Sequence, residues 1–445
     1  MTLRIDYEFK IDGLYHSVNY YRSETTMDIG AMPAPFATGI DSLSYSDLAA
    51  EEGKSYFVRF GTIGANNVEK ISDEIKVQAI KTPWFQTPIV ISLINEASDS
   101  YHTLTGSASV ATMSVNLSDS TKYAGGVLAP NGKIYCVPRN AVTVLIIDPQ
   151  SNSATRSSMG VSLSDAGKWV GGVLAENGKI YCIPFNATDI LIIDPVANTA
   201  TRSNMGVDLS GTSKWLGGVL APNGKIYCIP NNATEILIID PLSNTASKSN
   251  MGVLLNDTGK WAGGVLAGNG KIYAVPANAA DILIIDPIAN TATRSNMGVF
   301  LGDATKWSSG VLAKGGKIYC APRNASDILI IDSEANTATR STMGVSLSGV
   351  GNFVGAALGV DGKVYAIPYS STNILIIDPV ANTATRSAMG TSLGSGFKWF
   401  GGVLATNGKI YSVPSDAENI LIIDKHASVP IMENEVLLSP HLNKL

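Results

Sequence analysis

The sequence is short of the residues that usually build metal sites and acid–base pairs. Its 445 residues include four histidines, His16, His102, His426 and His441. It also lacks long apolar runs. Ile190–Ile193 is typical of the longest, too short for a membrane-spanning helix and so against membrane insertion. Charge is sparse, 16% of residues with a formal net charge of −5. That balance gives no electrostatic reason to expect nucleic acid or an anionic membrane as partner. The opening residues, Met1 to Asp6, contain no apolar h-region, so no secretory signal is expected. The remaining composition is ordinary for a globular protein, at 45% hydrophobic and 7% aromatic. Glycine is the exception: the 43 glycines are periodic, which points to a repeat array.

The tripeptide Asn-Gly-Lys, or a close variant, sets the period. Its lysines are Lys133, Lys179, Lys225, Lys271, Lys317, Lys363 and Lys409, each 46 residues after the last. Such a period falls in the range of propeller blades. One unit runs from Lys168-Trp169 through Asn177-Gly178-Lys179 and Pro184 to Ile190–Asp194 and Thr199–Ser203. Four strands are predicted per unit. The Asn-Gly step predicts a type I′ hairpin, with both turn residues at positive φ. Pro184 and its equivalents stand where a strand exits and needs no ladder donor. The third strand is apolar on both faces, as expected where each sheet packs between two others.

The ends of the array are complementary. The last repeat stops at Ile423-Asp424 and lacks the Thr-Ala-Thr-Arg strand, while Ser107 to Asp119 aligns with Ser153 to Asp165 at the same spacing. The segment from Ser107 should therefore supply the outer strand of the last blade and pair two otherwise free edges. The predicted fold is all-β: a seven-bladed propeller over residues 107–427. Before it lies a small β domain at 1–82, then a connector at 83–106 in which Pro83-Trp84-Phe85 could pack between modules. A tail at 428–445 follows the propeller. Alternation and turn spacing around His16–Arg22, Gly53–Gly61 and Ser72–Gln78 support the β domain.

Two resemblances extend this reading. Ile190 to Thr201, followed by Asn223-Gly224-Lys225-Ile226-Tyr227, resembles the YVTN-type propeller repeat, in all seven units. The strands of residues 1–82 resemble a fibronectin type III module. Val18 to Pro35 is similar to the N-terminal module of tail-fibre and tail-tip proteins of phages and prophages, and Leu437 to Leu445 is similar to endings of that group. These resemblances imply attachment to other tail proteins through residues 1–82 and an interchangeable recognition domain behind. They also imply a location on the virion tail, after synthesis in the bacterial cytoplasm.

Columns of the repeat separate scaffold from recognition. Cys136, Cys182, Cys228 and Cys320 share one column with Ala274, Ala366 and Ser412, so they read as small packing residues. Asp148, Asp194, Asp240, Asp286, Asp332, Asp378 and Asp424 occur in every blade and read as turn caps. Asp119, Asp165, Asp257 and Asp303 share a loop column, one carboxylate per loop and too few for calcium. Asn186 and Asn324 match glycosylation sequons but read as turn residues. No histidine falls within the repeats, and no catalytic residue, metal or cofactor is expected. The chain is therefore expected not to be an enzyme.

Two features remain for ligand binding. An aromatic column, Tyr123, Trp169, Trp215, Trp261, Trp307, Phe353 and Trp399, runs beside a basic one, Lys122, Lys168, Lys214, Lys260, Lys306 and Lys398, with Asn352 in the sixth blade. The rings either form stacking platforms for sugars and acidic glycans or wedge between adjacent blades. The residue after the recurrent proline is the most variable: Arg139, Phe185, Asn231, Ala277, Arg323, Tyr369 and Ser415. It lies on a loop of the same rim and marks either a recognition surface or drift on an exposed turn. The leading expectation is receptor binding, with a host surface glycan or outer-membrane protein as partner. Alternatives are a structural platform for other tail proteins and, last, a lyase or depolymerase.

Overall fold

The computed structural model describes residues 2–11, 15–40, 44–51, 54–64, 69–72, 74–78, 89–93, 106–302, 305–347, 349 and 351–424. Pro83–Phe85, His102, Asp303, His426, His441 and the tail at 428–445 lie outside the described residues. The chain divides into two compact units, one within residues 1–103 and one over residues 104–427.

The N-terminal unit contains two sheets. In one, Thr2–Ile11 lies between Ser44–Glu51, antiparallel, and Ile89–Leu93, parallel. The stretch 83–106 thus contributes a strand to this unit. In the other, Tyr15–Ser23 lies between Ala37–Ile40 and Ser55–Gly64, and the last of these also pairs with Glu69–Ile71 and Ile75–Gln78. Val18, Tyr20, Val58 and Phe60 form its buried face. The turn after Tyr15–Ser23 is tied back to this sheet. Met27 N donates to Glu74 at 2.6 Å, and the Arg59 guanidinium donates to Met27 O at 3.2 Å and Ser72 O at 2.8 Å.

The C-terminal unit is a β-propeller of seven four-stranded antiparallel sheets. A representative blade orders Trp169–Leu174, Ile180–Pro184, Ile190–Asp194 and Thr199–Ser203. The third strand is buried along Ile190–Ile193 because both faces meet neighbouring blades. Each such side chain contributes about 1.5–3 kcal/mol on burial. In the last blade Ser107–Ala111 takes the fourth position, with Ser107 opposite Asp424 and Ala111 opposite Ile420.

One turn differs from expectation. Gly178 has φ +76, but Asn177 is not among the residues at positive φ. The turn is a hairpin with glycine alone in the left-handed region, Gly178 N donating to Ala175 O and Ala175 N to Lys179 O. At Gly315-Gly316 both residues take positive φ, whereas the Asn177 side chain is fully engaged in the conformation it has here. Its Oδ1 accepts from Lys179 N at 3.1 Å, and its Nδ2 donates to Tyr181 Oη at 2.9 Å and to Pro241 O of the next blade at 3.3 Å.

Two backbone belts close the ring. On one, each lysine-column N–H donates to the post-proline carbonyl of the blade before, as Lys168 N does to Arg139 O at 2.8 Å. The series ends with Lys122 N donating to Ser415 O at 3.0 Å, joining first blade to last. On the other, Ala200 N donates to Met159 O, and the equivalent bonds end with Ala108 N to Met389 O at 2.8 Å. Near the axis the innermost strands approach backbone to backbone. A Cβ added to Gly171 would lie 2.9 Å from Gly217 Cα, and one on Gly355 would lie 2.3 Å from Gly401 Cα.

Candidate functional site at the propeller rim

The aromatic column is closed to ligands. Tyr123, Trp169, Trp261, Trp307 and Phe353 are 0% exposed, and Trp215 and Trp399 are 2% exposed. Trp169 packs against Val127, Tyr135, Val137 and Ile146 of the preceding blade, together with Cys182 and Ile193 of its own. The rings therefore act as wedges. Each indole N–H is satisfied by a carbonyl of its own blade, as Trp169 Nε1 donates to Asp189 O at 2.8 Å. A buried indole needs such a partner.

The basic column is equally withdrawn. Lys122, Lys168, Lys214, Lys260, Lys306 and Lys398 are buried, and so is Asn352. Their ammonium groups face backbone carbonyls rather than solvent. Lys214 Nζ donates to Gly211 O at 2.8 Å, Ala187 O at 2.9 Å and Phe185 O at 3.2 Å, the last two on the preceding blade. Lys168, Lys214, Lys306 and Lys398 thereby clamp one blade to the next. Burial drives the pKa of Lys168, Lys214, Lys260 and Lys398 down to about 8 and lowers that of Lys122. The ligand-binding role expected for these two columns is corrected accordingly: sheet faces in a propeller are buried, and these side chains belong to them.

The other columns also resolve into structure. The four cysteines are free and buried, and burial pushes their thiols up. Asp194 Oδ1 accepts from Ala197 N at 2.9 Å and Val196 N at 3.1 Å, which with Lys179 holds its carboxyl below the usual range. Asn186 Oδ1 accepts from Ser213 N at 2.7 Å, and Asn324 Oδ1 from Gly351 N at 2.7 Å. Asp119, Asp165 and Asp257 pair with Arg156, Arg202 and Arg294 at 2.6, 2.8 and 2.8 Å. Among the described residues no group of three or more His, Cys, Asp or Glu is placed to hold a metal ion.

The post-proline column behaves differently. Arg139, Phe185, Asn231, Arg323 and Tyr369 are partly exposed, whereas Ala277 and Ser415 are buried. Asn231 Nδ2 donates to Trp261 O at 3.1 Å and so braces the next blade. The Arg139 guanidinium lies 5.7 Å from the Phe185 ring centroid. Tyr369 stacks on Phe397 at 4.8 Å and meets Phe400 edge-on at 6.3 Å.

Phe397, Phe400 and Asp416 join this rim and were not singled out by the sequence. A signal for them exists. Phe397 stands where the other blades have Thr121, Gly167, Ser213, Gly259, Thr305 and Gly351, and Asp416 where five have asparagine. Phe400 replaces small or aliphatic residues such as Ala124 and Val170. Asp416 Oδ1 accepts from both the amide and the hydroxyl of Thr121.

No protein-family profile matches the chain, and no curated protein does. Solved structures do. A streptogramin B lyase is similar over 72% of this chain and 98% of its own, at 14% identity and a TM-score of 0.57. Virginiamycin B lyase from Staphylococcus aureus is similar over 72% and 99%, at 13% identity and a TM-score of 0.57. Kuenenia stuttgartiensis hydrazine synthase is similar over 70% and 97%, at 13% identity and a TM-score of 0.52. At these identities the likeness is one of fold. It corrects the expectation that the chain is not an enzyme, because this propeller fold also carries a lyase. Neither the fold nor the absence of histidine from the repeats decides between binding and catalysis. The seven four-stranded sheets and these likenesses together identify the chain as a β-propeller.

Proposed function

We propose that this chain is a tail-associated receptor-binding protein of a phage or prophage. Its seven-bladed propeller takes a host surface glycan or outer-membrane component at the rim. Its first 82 residues, a fibronectin type III-like module, attach it to the particle's other tail proteins. The observation that carries this reading is the rim itself. On a scaffold repeated seven times, the five partly exposed post-proline side chains differ from blade to blade, and Tyr369, Phe397 and Phe400 gather into one aromatic platform. A surface that varies over a constant scaffold suits recognition. The resemblance of Val18 to Pro35 to tail modules supplies the context.

The test is binding of the full chain to cells of the natural host and to a glycan array. Retention on cells, reduced by Tyr369→Ala with the melting temperature unchanged, is expected. No binding to host cells at micromolar protein that melts cooperatively would sink the reading. A glycan recovered in shortened form after incubation would assign the rim a lyase or depolymerase reaction, and the same variant would then slow that reaction.

A further inference from the structure

One column of the fourth strand is nearly constant. It holds Arg156, Arg202, Arg294, Arg340 and Arg386 in five blades, Lys248 in the third, and Val110 of the closing strand in the seventh. Where the aromatic residue is tryptophan, the arginine sites are built alike. The guanidinium carbons of Arg202, Arg294 and Arg340 lie 5.2, 5.3 and 5.3 Å from the ring centroids of Trp169, Trp261 and Trp307. Their Nη1 groups donate to Ser162 O, Leu254 O and Phe300 O at 2.9, 2.8 and 3.0 Å. Their Nε groups donate to Asp189, Asp281 and Asp327 at 3.0, 2.9 and 2.9 Å.

In the seventh blade the same place is a cavity of about 260 Å³, lined in part by Val110, Ser392, Ser395, Lys398, Trp399 and Asn419. At the repeat spacing these are the counterparts of Arg202, Ser162, Asp165, Lys168, Trp169 and Asp189. The third blade has a cavity of about 240 Å³ beside Trp215, but there Lys248 keeps a cation in the column, 3.8 Å from Glu235. The seventh blade alone brings no cation to its tryptophan from the fourth strand. Acceptors remain around it. The side chains of Ser395 and Asn419 make no hydrogen bond among the described residues, and Asn419 Oδ1 is buried without a partner.

A carboxylate is not required to hold a guanidinium on this scaffold. Arg386 donates to neutral groups, Ser346 O and Ser371 Oγ, both at 3.3 Å. Nor does Lys398 exclude a second cation. Its Nζ lies 5.7 Å from the Trp399 centroid, much as Lys168 Nζ lies 5.9 Å from that of Trp169 with Arg202 on the same ring. In that blade Asp165 and Asp189 offset the two cations, so a carboxylate restored beside Trp399 should strengthen binding. An indole ringed by oxygen acceptors suits the planar fork of a guanidinium better than a compact ammonium.

We infer that the seventh blade takes the guanidinium of an arginine from a protein partner, in the position that the chain fills for itself in five other blades. Val110 is 38% exposed, so the side chain can enter from solvent. The site shares no residue with the Tyr369 platform and stands whether or not the rim takes a glycan.

The test follows the indole N–H resonances of the full chain by nuclear magnetic resonance, with Trp399→Phe identifying the one concerned. The probes are a blocked Gly-Arg-Gly peptide, its Gly-Lys-Gly counterpart and methylguanidine. The arginine peptide should shift the Trp399 resonance saturably, and the lysine peptide should bind about tenfold more weakly, having lost the fork. Val110→Arg, which copies five other blades, should abolish the shift by filling the cavity from within. Asn419→Asp, which copies Asp189, should tighten binding about two- to fivefold, as a partly exposed ion pair implies. Should Val110→Arg fail to fold, Val110→Lys copies Lys248 and should weaken binding in the same way. No saturable shift in either the parent chain or Asn419→Asp overturns the inference. Equal binding of the lysine peptide, or an unaltered shift in a folded Val110 variant, overturns it too. Binding of methylguanidine without the arginine peptide overturns the assignment to a protein partner.

Discussion

Backbone contact near the axis predicts a large difference between two glycine substitutions in the same blade. Gly171 and Gly178 have nearly equal φ, +79 and +76. Alanine at either position carries the left-handed penalty of about 1–2 kcal/mol. It is partly offset at both by about 0.4–1 kcal/mol from the stiffer unfolded chain. The surroundings differ. A Cβ on Gly178 meets nothing within 4 Å, whereas one on Gly171 lies 2.9 Å from Gly217 Cα and 3.4 Å from Gly217 N. Those atoms are backbone and cannot rotate away, so the neighbouring blade must move. Overpacking of this kind costs about 1–3 kcal/mol beyond the shared penalty. At about 2 °C per kcal/mol for a domain of this size, Gly171→Ala should melt about 2–6 °C below Gly178→Ala. Gly355→Ala, with its Cβ 2.3 Å from Gly401 Cα, should be worse than either. Differential scanning calorimetry of the three variants is the assay. Equal melting temperatures for Gly171→Ala and Gly178→Ala would refute the claim that blades touch through bare backbone there.

Further predictions concern the clamps and the closure. Lys168, Lys214, Lys260 and Lys398 have folded pKa values of about 8 against about 10.4 unfolded, so the unfolded chain holds more protons between those limits and stability should rise with pH across them. Melting measured from pH 8 to 9.5, below the tyrosine range, should show the rise, and Lys398→Met, which removes one of these four lysines, should lessen its slope by about a quarter. Ala108→Pro removes the donor to Met389 O and should cost about 1–3 kcal/mol, with faster hydrogen exchange localised to Ile420–Asp424. The closing strand has Val110 in the arginine column, and the loop column has Ser395 in place of aspartate; a cavity of about 260 Å³ lined by both lies over Trp399. Val110→Arg with Ser395→Asp should install the missing pair, with a coupling of about 0.2–1 kcal/mol in a double-mutant cycle. Cys320→Ala copies Ala274 of another blade, so it should cost less than about 2 kcal/mol, and reductant should leave the melting temperature of the parent protein unchanged.

Much of the scaffold was legible because a repeat aligns with itself. The constant step between Lys133 and Lys409 located every blade, and the match of Ser107–Asp119 to Ser153–Asp165 located the closing strand. The loop aspartates were legible in principle. Asp119, Asp165 and Asp257 each precede their arginine by 37 residues, and Gly211 stands at that distance before Lys248, although Gly349 keeps Arg386. The hairpin turn was legible only in part: both residues have positive φ at Gly315-Gly316, whereas at Asn177-Gly178 only the glycine does, its neighbour's side chain being bonded to Tyr181 and the next blade.

By itself, then, the sequence determined the propeller, its blade boundaries and its closure, since local strand patterns repeat and need no partner to be read. Only the tertiary structure decided which columns face a ligand. Trp169 and Lys168 look available in a linear pattern, yet packing of one blade on the next buries the indole and surrounds the ammonium with carbonyls. The converse holds for Tyr369, Phe397 and Phe400. They come from the sixth and seventh blades, and only packing of one blade on the next brings their rings together.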